Sequence, residues 1–265
     1  MWKENSKTFI MRYKLAILVE VKLEMTKIFA HRGASGTFPE NTMAAFKHAA
    51  AIGADGIELD VQMAKDGRLV VIHDEKLDRT TSLKGYVKDL TYEEIKRGDA
   101  SHRFADKTGS VPVPTLEEVF EWAADAEFLL NVELKNSIIR YEGMEEKVMS
   151  MIDAYGLQDR IILSSFNHES LALCSKLNPS IELAALYMDV IYKPEEYIEM
   201  IPASGFHPYR RSMSDDTIEN AHLKQKAVRP FTINREEEMK KLIAAGIDGF
   251  FTDFPEKALK LKAEM

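Results

Sequence analysis

Apolar and polar positions along the chain switch between two periods. In Gly56-Ile57-Glu58-Leu59-Asp60-Val61 they alternate at every second residue. That is the period of a β-strand, with Ile57, Leu59 and Val61 on one face and Glu58 and Asp60 on the other. Residues 43–52 instead carry Ala44, Ala45, Phe46, Ala49 and Ala50 at helical spacing and stop at Gly53, which predicts an amphipathic helix. The two patterns then take turns to the C-terminus. Strands are predicted over 27–30, 56–62, 128–134, 161–165, 181–187, 205–208, 228–233 and 247–252. Helices are predicted over 115–126, 141–155, 169–177, 195–200, 215–226, 235–245 and 255–262.

One interruption breaks the rhythm. Lys65-Asp66-Gly67 is a hairpin turn signal, and 69–72 runs back towards His73-Asp74. Residues 75–113 are polar and turn-rich, with one short helical segment near 91–96, and read as an insertion. Strands alternating with helices imply a parallel sheet, and about eight repeats imply a closed (β/α)8 TIM barrel, with a small insertion after the second strand and its hairpin. A doubly wound open sheet is the alternative. The lack of a glycine-rich fingerprint after the first strand weighs against it.

Composition narrows the picture. A chain of 265 residues fits one large domain or two small ones, α/β barrels often running this long as one unit, and 45% hydrophobic with 29% charged residues is an ordinary soluble balance. A net charge of -8 weighs against nonspecific binding to nucleic acid or to anionic membranes. Cys174 has no second cysteine to pair with, so the reducing cytosol is the expected compartment. Residues 1–24 mix charges with one apolar run, Leu15 to Val19. That run is too short to span a membrane. They read as an extension without a role in chemistry, ahead of a domain over 25–265. Homo-oligomerisation stays open.

In a barrel, chemistry sits at the C-terminal ends of the strands. Strand 1 ends in His31-Arg32, strand 2 carries Glu58 and Asp60, and Asn131-Val132-Glu133-Leu134-Lys135 repeats the alternation. The hairpin is expected to bring His73 back to about the level of Asp60. Glu58, Asp60 and Glu133 suit a hard divalent cation such as Ca2+ or Mg2+. His31 and His73 can act as general acid and base near neutral pH. Arg32 can bind a phosphate in bidentate fashion, and Lys135 adds a point charge. Together these residues describe a phosphoester-cleaving site.

Other chemistry-bearing residues have plainer readings. Glu40 is expected to cap the first helix rather than approach a metal. His48, His102, His168, His207 and His222 read as surface or structural, with His207, near a strand end, the least secure. Cys174 and the methionines Met144, Met149 and Met151 read as helix packing.

His31-Arg32-Gly33, Pro39-Glu40-Asn41-Thr42, Gly53 to Val61, Val70-Val71-Ile72-His73-Asp74, Arg79-Thr80-Thr81, Asn131 to Lys135, Phe231-Thr232-Ile233-Asn234 and Gly246 to Asp253 resemble the motifs of the glycerophosphodiester phosphodiesterases. The resemblance runs from about residue 27 to the C-terminus. It implies a TIM barrel that hydrolyses small-molecule glycerophosphodiesters to glycerol 3-phosphate and an alcohol. It also implies a metal on Glu58, Asp60 and Glu133, acid/base roles for His31 and His73, and phosphate contact by Arg32 and Lys135. In the family's usual mechanism the neighbouring glycerol hydroxyl attacks phosphorus, and water opens the cyclic phosphate. The family often has tryptophan where this chain has Phe231, which keeps an apolar wall for the glycerol end but loses an N–H donor. Action on lysophospholipids and a catalytically silent phosphoester-binding barrel are the competing expectations.

Overall fold

The computed structural model describes residues 26–214 and 216–265, so residues 1–24, read above as an extension, lie outside it. The strands are β1 (Lys27–Ala30), β2 (Gly56–Met63), β3 (Leu69–Val71), β4 (Leu129–Leu134), β5 (Ile161–Ser165), β6 (Glu182–Tyr187), β7 (Gly205–Pro208), β8 (Ala227–Val228) and β9 (Gly249–Thr252). The principal helices are α1 (Met43–Ala51), α2 (Tyr92–Ile95), α3 (Ala105–Thr108), α4 (Leu116–Ala123), α5 (Met144–Tyr155), α6 (His168–Leu177), α7 (Pro194–Tyr197), α8 (Thr217–Leu223), α9 (Glu236–Ala245) and α10 (Pro255–Ala263).

Parallel pairing runs in the order β8-β7-β6-β5-β4-β2-β1-β9, with β3 antiparallel to β2 off that path. Hydrogen bonds bring the ends of this path together. Phe251 N–H donates to Pro230 O and Ile233 N–H to Phe251 O, at 3.0 and 2.8 Å, and Val228 N–H donates to Asp248 Oδ2 at 2.8 Å. The molecule is a (β/α)8 barrel. The strand predicted over 228–233 is shorter than expected and ends at Val228. Pro230 has no N–H to give a ladder, so that stretch closes the barrel through separate bonds. Helix α5 also starts later than predicted, because Gly143, at φ +78°, ends the preceding loop.

Each strand presents one face to the helices and one to the barrel interior. Ile57, Leu59 and Val61 belong to the large cluster that includes Phe46, Phe120 and Val148. Burying a side chain of this size contributes about 1.5–3 kcal/mol. The interior holds a smaller plug in which Phe29, Ile162, Ala184 and Phe251 are buried together. A Cβ on Gly56 would lie 2.4 Å from the Phe29 ring, so glycine makes room for the plug. Above it the inward positions are polar.

The insertion has a core of its own. Val70, Ile72, Leu77, Val87 and Ile95 pack together, so residues 75–113 fold against the back of β3. It holds more helical turns than the one expected segment: 3-10 turns at Val87–Asp89 and His102–Phe104 join α2 and α3. No helix among the described residues is long and apolar enough to cross a membrane.

Candidate active site

Register decides which carboxylates meet. In the parallel pair β2–β4, Glu58 stands beside Asn131 and Asp60 beside Glu133. All are inward positions, so ligand oxygens of Glu58, Asp60 and Glu133 come within 4.8 Å of one another, and all three residues are buried. The turn after β1 adds the cation. Arg32 has a left-handed backbone (φ 54°), an uncommon conformation away from glycine. It aims the Arg32 N–H at Glu58 Oε2, 2.7 Å away, and its Nε lies 3.3 Å from Asp60 Oδ2. Gly33 follows at φ +77°, where a Cβ would strike Ala45 at 2.7 Å. Lys135, at the end of β4, donates to Glu133 Oε1 at 2.8 Å and stands 3.7 Å from Asp60 Oδ1.

These charges set one another. Burial, with Asp60 and Glu133 nearby, pushes the Glu58 carboxyl well above its usual range. Burial and Asp60 likewise raise Glu133 to about 7, against the pull of Lys135. Burial would raise Asp60 too, but Arg32, His73 and Lys135 together hold it below the usual carboxylate range. Three buried carboxylates thus face two fixed cations, an arrangement that an added cation completes. The donor set fits a hard divalent metal: all oxygen, with buried Asp60 Oδ1 and Asn131 Oδ1 accepting no hydrogen bond.

Both predicted histidines reach the same cavity of about 480 Å³, which His31, Arg32, Glu58, His73, Glu133, Lys135 and Phe231 all line. Asp60 lies behind them, almost fully buried. The register of β3 differs by one residue from the expectation: Ile72 N–H donates to Asp60 O, and His73 sits one step beyond. Each histidine has a carboxylate on Nδ1. His31 Nδ1 is 2.7 Å from Asp253 Oδ1, and His73 Nδ1 is 2.7 Å from Asp74 Oδ1. A carboxylate only accepts, so Nδ1 carries the proton and Nε2 is left for the cavity. Burial, with Arg32 and Lys135 close by, lowers the His73 pKa. Phe231 forms an aromatic wall with Phe166 and Tyr209, each ring 6.0 Å from it.

The remaining assignments divide. Glu40 is not the helix cap: Thr42 Oγ1 accepts from Ala45 N–H at the start of α1, and Glu40 instead bonds Arg32 and Arg79. The cap falls to Thr42 because its short hydroxyl reaches the first-turn N–H. His48 pairs with Glu256, His222 with Asp248, and His168 with Tyr197. His207 lies in the barrel interior and lines the cavity. Cys174 is buried, and burial pushes its thiol up to about 12. The residues not anticipated as part of the site are Asp74, Asp253, Arg79 and Asn41, whose Nδ2 donates to Asp60 Oδ2 at 2.8 Å. Asp74 follows His73 directly, and Asp253 follows the last strand at the catalytic end of the barrel, so both could be suspected from position.

The glycerophosphoryl diester phosphodiesterase family model matches residues 31–257. The chain belongs to that family. A glycerophosphodiester phosphodiesterase of Bacillus altitudinis is 56% identical, the match covering 91% of this chain and 100% of that protein. One from Caldanaerobacter subterraneus is 45% identical over 89% and 97%. Among solved structures, an Oleispira antarctica phosphodiesterase in complex with the product sn-glycerol-3-phosphate superposes with a TM-score of 0.79 at 29% identity, covering 89% of this chain and 96% of that one. In this chain both histidines, Glu58 and Glu133 line one cavity, and buried Asp60 lies behind them within the same carboxylate cluster.

Proposed function

We propose that this phosphodiesterase hydrolyses glycerophosphodiesters to sn-glycerol 3-phosphate and an alcohol, using His31 and His73 as the acid/base pair. The observation that carries the reading is the single cavity lined by both histidines, Arg32 and Lys135 above the three carboxylates. Arg32 and Lys135 bind the phosphodiester oxygens. One histidine Nε2 takes the proton of the neighbouring glycerol hydroxyl as that oxygen attacks phosphorus. The other gives a proton to the alcohol oxygen as its bond to phosphorus breaks. Water then adds to the cyclic phosphate with the roles reversed, and the ring opens to glycerol 3-phosphate. Glu58, Asp60 and Glu133 would hold a Ca2+ or Mg2+ ion, which would neutralise charge on the phosphoryl oxygens. The Phe166–Phe231–Tyr209 wall takes the carbon skeleton. A reducing cytosolic setting agrees with a lone, buried cysteine.

The test is release of glycerol 3-phosphate from glycerophosphocholine and glycerophosphoethanolamine with Ca2+, with Mg2+ and with a chelator, for wild type, His31→Ala and His73→Ala. Metal-dependent turnover by wild type and none by either variant is expected. Full activity in either variant would overturn the acid/base assignment. A second reading, hydrolysis of lysophospholipids, draws on the mouth of the cavity, where Ile138 is 78% and Met188 57% exposed. An acyl chain would cover them. Faster turnover of lysophosphatidylcholine than of glycerophosphocholine would select it.

A further inference from the structure

Arg79, in the Arg79-Thr80-Thr81 motif of the insertion, does not line the cavity. Its side chain is 45% exposed, yet it is heavily bonded. Nε donates to Asp74 Oδ2 at 2.7 Å and Nη2 to Asp74 Oδ1 at 2.9 Å. Nη1 donates to Glu40 Oε2 at 2.7 Å and Nη2 to Glu40 Oε1 at 2.8 Å. Both carboxylates then face the site. Asp74 Oδ1 meets His73 Nδ1, and Glu40 Oε1 accepts from Arg32 Nη1 at 2.9 Å. One guanidinium therefore clamps the supports of a histidine and of an arginine that arrive from different parts of the chain. The planar fork makes two bidentate contacts, which a lysine ammonium cannot do.

We propose that Arg79 is a positioning residue, which holds His73 through Asp74 and Arg32 through Glu40 and so links the insertion to turnover. The inference rests on the reading of His73 and Arg32 given above. The backbone supports it. Leu77 is fully buried in the core of the insertion, and Thr81 caps the turn by donating from N and Oγ1 to Leu77 O. Arg79 is thus anchored from both sides while its side chain reaches Asp74 and Glu40. Isolated exposed ion pairs contribute little, but bidentate pairs in a network are the exception. Without Arg79, Asp74 and Glu40 each lose their strongest partner and are free to turn to water, and a misplacement of about 1 Å at a reacting group costs up to about 100-fold in rate.

The experiment uses glycerophosphocholine turnover and inhibition by glycerol 3-phosphate for wild type, Arg79→Ala, Arg79→Lys, Asp74→Asn, Glu40→Gln and the double variants. Arg79→Ala is expected to lower kcat about 10–100-fold and to weaken glycerol 3-phosphate binding. In the Asp74→Asn background the same change should lower kcat less than about twofold, and in the Glu40→Gln background it should leave product binding unchanged, because each arm is already cut. Arg79→Lys keeps the charge but not the double fork and should lose activity with its Tm near that of wild type, which keeps the test open if Arg79→Ala does not fold. Additive losses in both backgrounds, or full activity of Arg79→Lys, would overturn the proposal. An inactive wild-type protein would instead sink the catalytic reading on which it rests.

Discussion

His31 and Asp253 stand 222 positions apart in sequence, and their side chains meet at 2.7 Å, tying the end of β1 to the end of β9. Asp253 is itself fixed: Ser35 Oγ donates to Oδ1 at 3.0 Å, Asn234 Nδ2 donates to Oδ2 at 2.6 Å, and Asn234 Oδ1 accepts from the Asp253 N–H at 3.0 Å. Burial would raise the Asp253 pKa, but His31, with the bonds from Asn234 and Ser35, brings it down to about 2. The pair therefore braces the top of the β1–β9 ladder and sets the His31 tautomer in one contact.

Asp253→Asn keeps the shape but lets an amide N–H face His31, which favours the wrong tautomer. An expected fall in kcat of about 10²–10⁴-fold, with KM changed far less, follows from the role of carboxylates behind catalytic histidines. Steady-state kinetics on glycerophosphocholine provide the check. A kcat within twofold of wild type would remove Asp253 from the machinery.

The carboxylate cluster predicts a metal-linked change in stability. An ion bound only by the folded state raises stability by about 2.7 kcal/mol at a concentration 100 times its Kd. Thermal melts should show Tm rising with added Ca2+ or Mg2+ for wild type and not for Glu133→Gln. Apo Glu133→Gln should stay folded, since it is isosteric and removes one of three buried like charges. Equal metal-induced shifts in both proteins would place the ion elsewhere.

The strand-borne part of the site was legible because a period of two is a local signal. Glu58, Asp60, Glu133 and Lys135 follow from alternation alone once the opposite face must meet helices. The Val228–Ile233 stretch was misread because its apolar residues suggest a strand while Pro230 cannot join a ladder. His73 returns to about the level expected, one step beyond Asp60, because a tight hairpin sets the exact register through its turn and not through hydrophobicity. Glu40 and Arg79 stand in recognisable motifs, but their pairing was not legible, and Glu40 was expected as a helix cap. Their value lies in pairing across 39 residues, and nothing in the local pattern of either marks the partner.

Cys174 makes a simple probe of the barrel wall. It is fully buried on α6, and burial with Glu145 and Glu146 nearby pushes its thiol up to about 12. The thiolate is the reactive form, so a thiol reagent at pH 8 should leave the native protein unmodified and react with one equivalent in denaturant. Rapid labelling without denaturant would show that the helix opens locally.

His207 predicts how stability depends on pH. It points into the barrel from β7, fully buried, with Arg229 Nη1 at 3.5 Å and the Phe251 ring packed on it. Arg229 is in turn paired with Glu182 Oε1 at 2.7 Å. Burial first, and then the Arg229 charge, lower the His207 pKa well below its ordinary value. The folded state therefore leaves the imidazole neutral where the unfolded chain takes up a proton. Unfolding binds the extra proton below an unfolded pKa of about 6.5, so stability is full above that pH and declines as pH falls, by about 1.4 kcal/mol per unit from this group. Urea denaturation at pH 8 and pH 5.5 measures the slope. His207→Gln is neutral at every pH and should flatten it by roughly that amount. An unchanged slope would mean that His207 gains its proton inside the fold, against the positive charge of Arg229.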